Sequence, residues 1–312
     1  MRLRRLGRTG LAVSECTFGT GALRAGQPAE AGTALARAIA LGINAVELDA
    51  GDDDAVDMVA DVLRREGARD RVHVFVRAAS RVRFDLPSPH IPADQAYPGR
   101  HIRAETEKLL ARLGVERLAL QQLHAWCPEW LREGDWRETL ERLRDEGKIA
   151  GIGLSLFDHD VHAGLEAVAA GAVDAVQVMV NLFDQGAAGA LLPLCQRHDV
   201  GVIARSPLYY GALADCGVLG RFAPDDWRST YFHETHRQET EARVAQLRCE
   251  VEARDGAVRE LALRFVLSHP AVSTMAVGMR SAAQVESNIR ALERGPLGPE
   301  QNARLAAHKW LC

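Results

Sequence analysis

Charged and imidazole side chains follow several apolar runs of the sequence, at the points where buried strands would end. Arg77 follows residues 72–76, and His124 follows residues 118–123. Asp49 and Asp52 belong to an acidic segment, residues 49–54, that follows another apolar run. A carboxylate, an imidazole and a guanidinium at one edge of a sheet could carry out acid–base chemistry. The candidate catalytic residues are therefore His124, Arg77, Asp49 and Asp52.

Simpler structural explanations compete with each of these assignments. A lone histidine at the end of an apolar strand is often a core residue, and Arg77 could pair with an acid such as Glu47 or Asp49. Asp53 or Asp54 could cap a following helix, because carboxylates accept hydrogen bonds from the N–H groups at a helix N-terminus. His233 and His236 have a spacing compatible with metal binding, but the neighbouring sequence supplies no matching third ligand. We therefore predict no metal site.

Apolar, β-rich runs alternate with amphipathic stretches along most of the chain. The predicted strands are residues 16–18, 43–48, 72–76, 118–123, 149–154, 175–179, 201–204 and 273–277. The predicted helices are residues 30–41, 55–65, 102–113, 136–146, 161–170 and 186–197. Five of these helices are followed by a glycine suited to a C-terminal cap; the glycines are Gly42, Gly67, Gly114, Gly147 and Gly171.

Strand–helix alternation implies parallel strands, in either a doubly wound sheet or a closed barrel. The chain has 312 residues and contains no linker-like segment, so we predict one domain over residues 1–312. Residues 2–13 read as a hairpin that precedes the barrel. The segment from residue 208 to residue 256 is too long for an ordinary connection and is rich in aromatic residues, which indicates a functional loop.

Composition excludes several classes of protein. The net charge is −4 with both signs interspersed, which argues against a nucleic-acid or anionic-membrane surface. The basic start lacks the apolar core of a signal peptide, and no apolar run is long enough to span a membrane. Six scattered cysteines suit reduced thiols better than disulfides. We expect a cytoplasmic enzyme whose partner is a small-molecule substrate.

Motifs in a consistent order over nearly the whole chain resemble those of the aldo-keto reductases. They are residues 6–14, Phe18-Gly19-Thr20-Gly21, residues 41–44, Leu123-His124, residues 146–153, Ser206-Pro207-Leu208 and residues 278–288. The resemblance implies a single (β/α)8 barrel with an N-terminal hairpin and a long loop after the seventh barrel strand. It also implies that NADP(H) binds at the C-terminal end of the barrel, unless the site has degenerated and binds no cofactor.

The resemblance also implies a set of cofactor-binding residues. They are Gly19, Thr20, Ser155, Gln177, Ser206, Leu208, Gly278, Arg280, Ser281, Gln284 and Asn288. An arginine such as Arg280 can form a planar fork around a ribose 2′-phosphate, and Ser281 lies where a helix N-terminus offers N–H groups to an anion. Leu156 replaces the asparagine usually found beside the serine that contacts the nicotinamide amide, so one amide contact is predicted to be missing.

The family's catalytic set of Asp, Tyr, Lys and His matches less well. Carrying the pattern across from residues 42–44 places Ala50 at the Asp and Asp52 at the Tyr, whereas a shift of one residue places Asp49 at the Asp. Arg77 stands at the Lys and His124 at the His. No register supplies the tyrosine, because the first tyrosine of the chain is Tyr97.

A positioned general acid contributes about 100- to 10,000-fold in rate, so another group would have to donate the proton. The candidates are His124, Tyr97, Tyr209 and Tyr210. The three tyrosines, together with Trp126, are also the predicted substrate contacts.

We predict an NADP(H)-dependent oxidoreductase acting on a small carbonyl or alcohol, in which His124, Arg77 and either Asp49 or Asp52 carry the chemistry. Two alternatives remain open at this point. One is a non-redox acid–base enzyme on the same barrel, such as a lyase, dehydratase or epimerase. The other is a catalytically silent binding protein.

Overall fold

The computed structural model describes residues 1–25, 28–82, 90–214, 219, 222, 226–251 and 257–311. Its first element is the predicted hairpin, in which β1 (Leu3–Arg5) pairs antiparallel with β2 (Ala12–Ser14). Between these strands Gly7 has a φ of +48°, and a Cβ on Gly7 would meet the backbone nitrogen of Gly201 at 2.1 Å. Glycine at position 7 therefore lets the hairpin approach the barrel closely.

Eight parallel strands form a closed barrel, so the barrel prediction is confirmed and the doubly wound alternative is wrong. Around the barrel, each strand pairs with the next in the chain, and the last pairs with the first. The strands are β3 (Cys16–Gly19), β4 (Ala45–Asp49), β5 (His73–Ala78), β6 (Leu120–His124), β7 (Ile152–Ser155), β8 (Ala175–Met179), β9 (Gly201–Arg205) and β10 (Val272–Gly278).

Helices surround the barrel, and several connections contain short 3-10 turns. In the described part of the chain the helices are α1 (Pro28–Ala40), α2 (Asp53–Arg65), α3 (Ala93–Ala96), α4 (Gly99–Leu113), α5 (Trp136–Asp145), α6 (Leu165–Ala169), α7 (Leu191–Arg197), α8 (Trp227–Tyr231), α9 (Glu234–Cys249), α10 (Ala257–Leu267), α11 (Ala282–Glu293) and α12 (Pro299–Leu305). No helix in these described ranges is long and apolar enough to cross a membrane.

The glycines predicted to end helices adopt the expected backbone. All five have positive φ, between +54° at Gly67 and +91° at Gly42. Only glycine adopts this conformation at low cost, which is why these positions could be recognised from the sequence. Two predicted helices, residues 161–170 and 186–197, are each shorter than expected because each begins with a 3-10 turn.

The barrel interior changes from apolar at one end to polar at the other. At the N-terminal end, Leu6 of the hairpin region packs with Phe75, Leu120 and Ile203. Because side chains on a strand alternate between faces, the next inward positions on β5 and β6 are Arg77 and Gln122. The polar side chains are thus collected at the C-terminal end, where barrel enzymes carry their sites.

The described part of the segment after β9 contains helices where the sequence predicted a long loop. It contains α8 and α9, and its aromatic residues pack against the barrel end. Tyr209 is fully buried and contacts the rings of Phe183, Tyr231 and Phe232 edge to face. Trp227 is the exception, since half of its surface is exposed. The described part of this segment therefore contacts the loops that follow β7 and β8.

Candidate active site

A buried ion pair occupies the polar end of the barrel beneath its mouth. Nε of Arg77 lies 2.6 Å from Oε1 of Glu47, although the two groups lack the alignment of a hydrogen bond. Nη2 of Arg77 also lies 3.6 Å from Oδ2 of Asp49. The predicted pairing of Arg77 with Glu47 or Asp49 is confirmed, with both acids contributing.

His124 lies at the end of β6, and neighbouring side chains hold its ring and its backbone. Its Nδ1 is 2.9 Å from the hydroxyl oxygen of Ser155 on β7. The Tyr97 hydroxyl donates to the His124 carbonyl oxygen and accepts from the His124 backbone N–H at 3.1 Å. Burial raises the pKa of Tyr97 above its ordinary value. Tyr97 is thus engaged with the His124 backbone, which leaves it poorly placed to donate a proton to substrate.

Asp52 has a structural role that the sequence had assigned to its neighbours. Its side chain accepts a hydrogen bond from the Ala55 N–H and caps α2, whereas Asp53 and Asp54 form the first turn of that helix. The prediction that Asp53 or Asp54 is the cap is therefore wrong. Asp49 accepts from the Gly51 N–H at 3.0 Å and remains beside Arg77. Of the two predicted carboxylates, Asp49 is the one that reaches the guanidinium.

Trp126 lies in the core instead of forming a wall of the mouth. It is 1% exposed, its Nε1 donates to the Ala163 carbonyl, and its ring packs edge to face against Trp130 and Trp136. Tyr97 is equally buried and packs against Trp130. Burial of both rings weakens the case for Trp126 and Tyr97 as substrate contacts.

Tyr209 and Tyr210 belong to a hydrogen-bonded cluster between the loops after β7, β8 and β9. The Tyr209 hydroxyl lies 2.6 Å from Nε2 of His236 and 3.1 Å from the Tyr231 hydroxyl. The Tyr210 hydroxyl donates to Asp158. Burial raises the pKa of both hydroxyls. Both hydroxyls are occupied in tying the segment after β9 to the barrel, which weakens their case as proton donors.

The cluster also contains His159 and Asp184, which the sequence analysis had not identified as candidate residues. His159 has its Nδ1 2.8 Å from the buried carboxylate of Asp184 and its Nε2 3.0 Å from the Tyr231 hydroxyl. His236 packs against Trp310 as well as Tyr231. Within the described residues no group of three metal-ligating side chains occurs, and His236 binds tyrosine instead.

Buried amide atoms without partners mark the barrel interior beside His124. Gln177 on β8 is 1% exposed, and its Oε1 has no hydrogen-bond partner among the described residues. Gln122 on β6 is fully buried, and both of its amide atoms are likewise unpartnered within the described part of the chain. Buried polar groups are rarely left unpaired, so these atoms point to a ligand or to water. The sequence indicated Gln177 but missed Gln122, whose inward position follows from strand alternation.

The predicted phosphate site lies at the start of α11. Ser281 is its N-cap and accepts from the Gln284 N–H at 3.3 Å. The Gln284 side chain accepts from the Arg280 N–H at 2.8 Å, so it orders the loop before the helix. Arg280 is exposed and its side chain makes no ion pair with any described residue. Asn288 is 3% exposed, unlike Gln284 one turn earlier.

The remaining predicted cofactor residues are distributed around the same end of the barrel. Gly19 and Gly278 lie opposite each other at the ends of β3 and β10, and the buried Thr20 follows Gly19. Ser206 directly follows β9 with a φ of +53°, and its carbonyl accepts from the Asn181 side chain. Leu208 begins the turn that contains the two tyrosines. The barrel therefore gathers these positions at its C-terminal end.

Comparisons with known proteins agree with this architecture. The model of the aldo/keto reductase family matches residues 15–309. Oxidoreductase YqkF of Bacillus subtilis, whose name records it as uncharacterized, is 28% identical over 99% of this chain and 96% of its own length. L-galactose dehydrogenase of Arabidopsis thaliana is 30% identical over 52% of this chain and 48% of its own length. The holo form of aldo-keto reductase AKR11C1 from Bacillus halodurans superposes with a TM-score of 0.79 at 24% identity, covering 100% and 97% of the two chains.

The barrel and the family match together define a (β/α)8 barrel of an oxidoreductase family. The chain belongs to the aldo/keto reductase family. The resemblance read from the sequence motifs is thereby confirmed at the level of family and fold.

Proposed function

We propose that this protein is an NADP(H)-dependent oxidoreductase that interconverts a small carbonyl compound and its alcohol. The observation that carries the proposal is the placement of His124, whose ring is held by Ser155 and whose backbone is held by Tyr97. Such a fixed imidazole at the polar end of the barrel suits proton transfer to or from a bound substrate. No observation on the described residues favours the non-redox enzyme or the silent binding protein.

Residues of this chain fit a nicotinamide cofactor. The buried Oε1 of Gln177 offers an unpartnered acceptor, which suits the NH2 group of the nicotinamide amide. Arg280 and the N-cap Ser281 would hold the 2′-phosphate, because an arginine fork and a helix N-terminus both favour phosphate. When bound, the cofactor supplies the hydride or takes it up.

We assign the proton transfer to the imidazole of His124, whose Nδ1 faces the Ser155 hydroxyl. In the reductive direction His124 donates a proton to the carbonyl oxygen, and in the oxidative direction it takes the alcohol proton. We assign Arg77 a positioning role, because two carboxylates already balance its charge. Asp49 would then be held at the mouth by Arg77. We further propose that residues 1–312 form one domain.

The first test is a calorimetric titration of the protein with NADPH and with NADH. Micromolar binding of NADPH that weakens in Arg280→Ala supports the proposal. Absence of binding to either nucleotide contradicts it. The second test follows NADPH absorbance during reaction with a panel of small aldehydes and ketones.

For the second test we expect His124→Gln to lower turnover by about 100- to 10,000-fold while NADPH binding changes little. His162 is exposed and makes no contact that involves the site, so His162→Gln is the matched control. Undiminished turnover in His124→Gln would show that another group transfers the proton.

A further inference from the structure

Arg205 ends β9 with its side chain on the inner face of the barrel, two residues after the inward Ile203. Its guanidinium reaches the loop after β7, where Nη2 donates to the Leu156 carbonyl at 2.9 Å and pairs with Asp158. Because β8 lies between β7 and β9, this guanidinium passes over the C-terminal end of β8. In register, Arg205 pairs with Met179, the last residue of β8, and Gln177 is the next inward residue of that strand. The guanidinium reaches toward Gln177, because the Leu156 carbonyl that it contacts belongs to the residue whose N–H donates to the Gln177 carbonyl.

Two complementary atoms on these neighbouring strands lack partners. Nε of Arg205 is a buried donor and Oε1 of Gln177 is a buried acceptor, and neither has a hydrogen-bond partner among the described residues. Leaving a buried polar atom unpaired is costly, so each points to a group that the protein binds. A primary carboxamide presents one acceptor and one NH2 group side by side, which matches this pair.

Charge at the site favours a neutral ligand group over an anion. The carboxylate of Asp158 pairs with the Arg205 guanidinium, and the Tyr210 hydroxyl lies 3.5 Å from Nη1. The two terminal nitrogens of Arg205 are therefore engaged, and its charge is balanced. Nε of Arg205 can still donate a hydrogen bond, but the balanced guanidinium offers no net positive charge to a ligand. Such a donor suits a neutral carboxamide oxygen better than a carboxylate.

We propose that Arg205 and Gln177 together bind the carboxamide of the nicotinamide, with Nε of Arg205 donating to the amide oxygen and Oε1 of Gln177 accepting from the NH2 group. The proposal rests on the proposed function. It also accounts for Leu156, which replaces the asparagine expected to contact this amide. Arg205 lies against the main chain of that residue and supplies the donor that Leu156 lacks.

Cofactor analogues test the two contacts separately in the unmodified protein. The thionicotinamide analogue of NADP+ keeps the NH2 group but replaces the oxygen with sulfur, a poor acceptor. The acetylpyridine analogue keeps the oxygen but has a methyl group in place of NH2. We expect calorimetry to give Kd values about 3- to 10-fold higher for each analogue than for NADP+, because each loses one hydrogen bond. Equal affinity for all three nucleotides would overturn the proposal, even if no variant were made.

Variants assign each contact to its residue. Arg205→Met is combined with Asp158→Asn so that no carboxylate is left without its cation. This double variant should bind the thio analogue as well as it binds NADP+. Gln177→Leu should no longer discriminate against the acetylpyridine analogue. Adding Leu156→Asn to the Arg205→Met, Asp158→Asn protein should restore discrimination against the thio analogue. Arg144 pairs with Asp174 near the other end of β8, so Arg144→Met is the matched control and should behave like the parent.

Failure of this inference is distinct from failure of the proposed function. If NADP+ and NADPH do not bind the unmodified protein, both are overturned. If they bind but discrimination against the thio analogue is the same with and without Arg205, only the role of Arg205 is overturned. In that case the orphaned Nε of Arg205 is not a cofactor contact.

Discussion

Replacing Arg77 with methionine should destabilise the protein by stranding a carboxylate inside the barrel. The Glu47 side chain is 5% exposed, and its Oε1 lies 2.6 Å from the Arg77 guanidinium. At this distance two unit charges attract by about 6 kcal/mol at an effective dielectric of about 20. Desolvation offsets much of that attraction, but removal of one partner of a buried pair still costs about 3–5 kcal/mol.

The loss in Arg77→Met should depend on pH, because protonation neutralises a carboxylate that has lost its cation. Neutralising an ordinary glutamate side chain costs about 3.7 kcal/mol at pH 7 and about 1 kcal/mol at pH 5. The variant should therefore lose about 3.7 kcal/mol at pH 7, within the range given above, and markedly less at pH 5. With an unfolding entropy of about 2.1 cal/mol/K per residue, the loss at pH 7 corresponds to a fall in Tm of about 5–6 °C.

Urea unfolding followed by circular dichroism at pH 7 and pH 5 measures this effect. Arg77→Met combined with Glu47→Gln should recover most of the stability, since the double variant leaves no buried charge. Arg142 forms an exposed pair with Glu138, so Arg142→Met is the matched control and should change stability by less than about 0.5 kcal/mol. An Arg77→Met protein as stable as the parent at pH 7, or equally destabilised at both pH values, would refute the reasoning.

Two further predictions concern Tyr97 and His269. Tyr97→Phe keeps the packed ring but removes both hydrogen bonds to the His124 backbone. Urea unfolding should therefore show that the free energy of unfolding falls by about 1–3 kcal/mol, and kcat should fall as well. Unchanged stability would contradict the assigned contact. Burial lowers the pKa of His269 in the folded state. As the pH falls below the ordinary histidine pKa of about 6.5, the unfolded state therefore binds more protons than the folded state, and the free energy of unfolding decreases. Urea unfolding from pH 8 to pH 5 should therefore show a smaller loss in His269→Leu than in the parent, and identical pH profiles would argue against this contribution.

Features that depend on neighbours along the chain could be predicted from the sequence. The strand–helix alternation identified all eight barrel strands, with ends displaced by at most three residues. The capping glycines and the N-terminal hairpin were identified because local backbone geometry favours particular residues there. The family followed from motifs that are themselves local. In the acidic segment, residues 49–54, the sequence pattern predicted the wrong helix cap. Neighbouring aspartates compete for a single capping position, and Asp52 fills it.

The tertiary structure decided which of these local features meet. Glu47 against Arg77, Tyr97 against the His124 backbone and Arg205 across the end of β8 are contacts that the sequence did not specify as a set. Each joins residues on different strands or loops, and closure of the barrel fixes the register that brings them together. The sequence alone determined the strands, the helix ends and the family, because these depend on short-range patterns. The identity of each ion pair and hydrogen bond in the site depends on packing across the barrel, which only the folded chain defines.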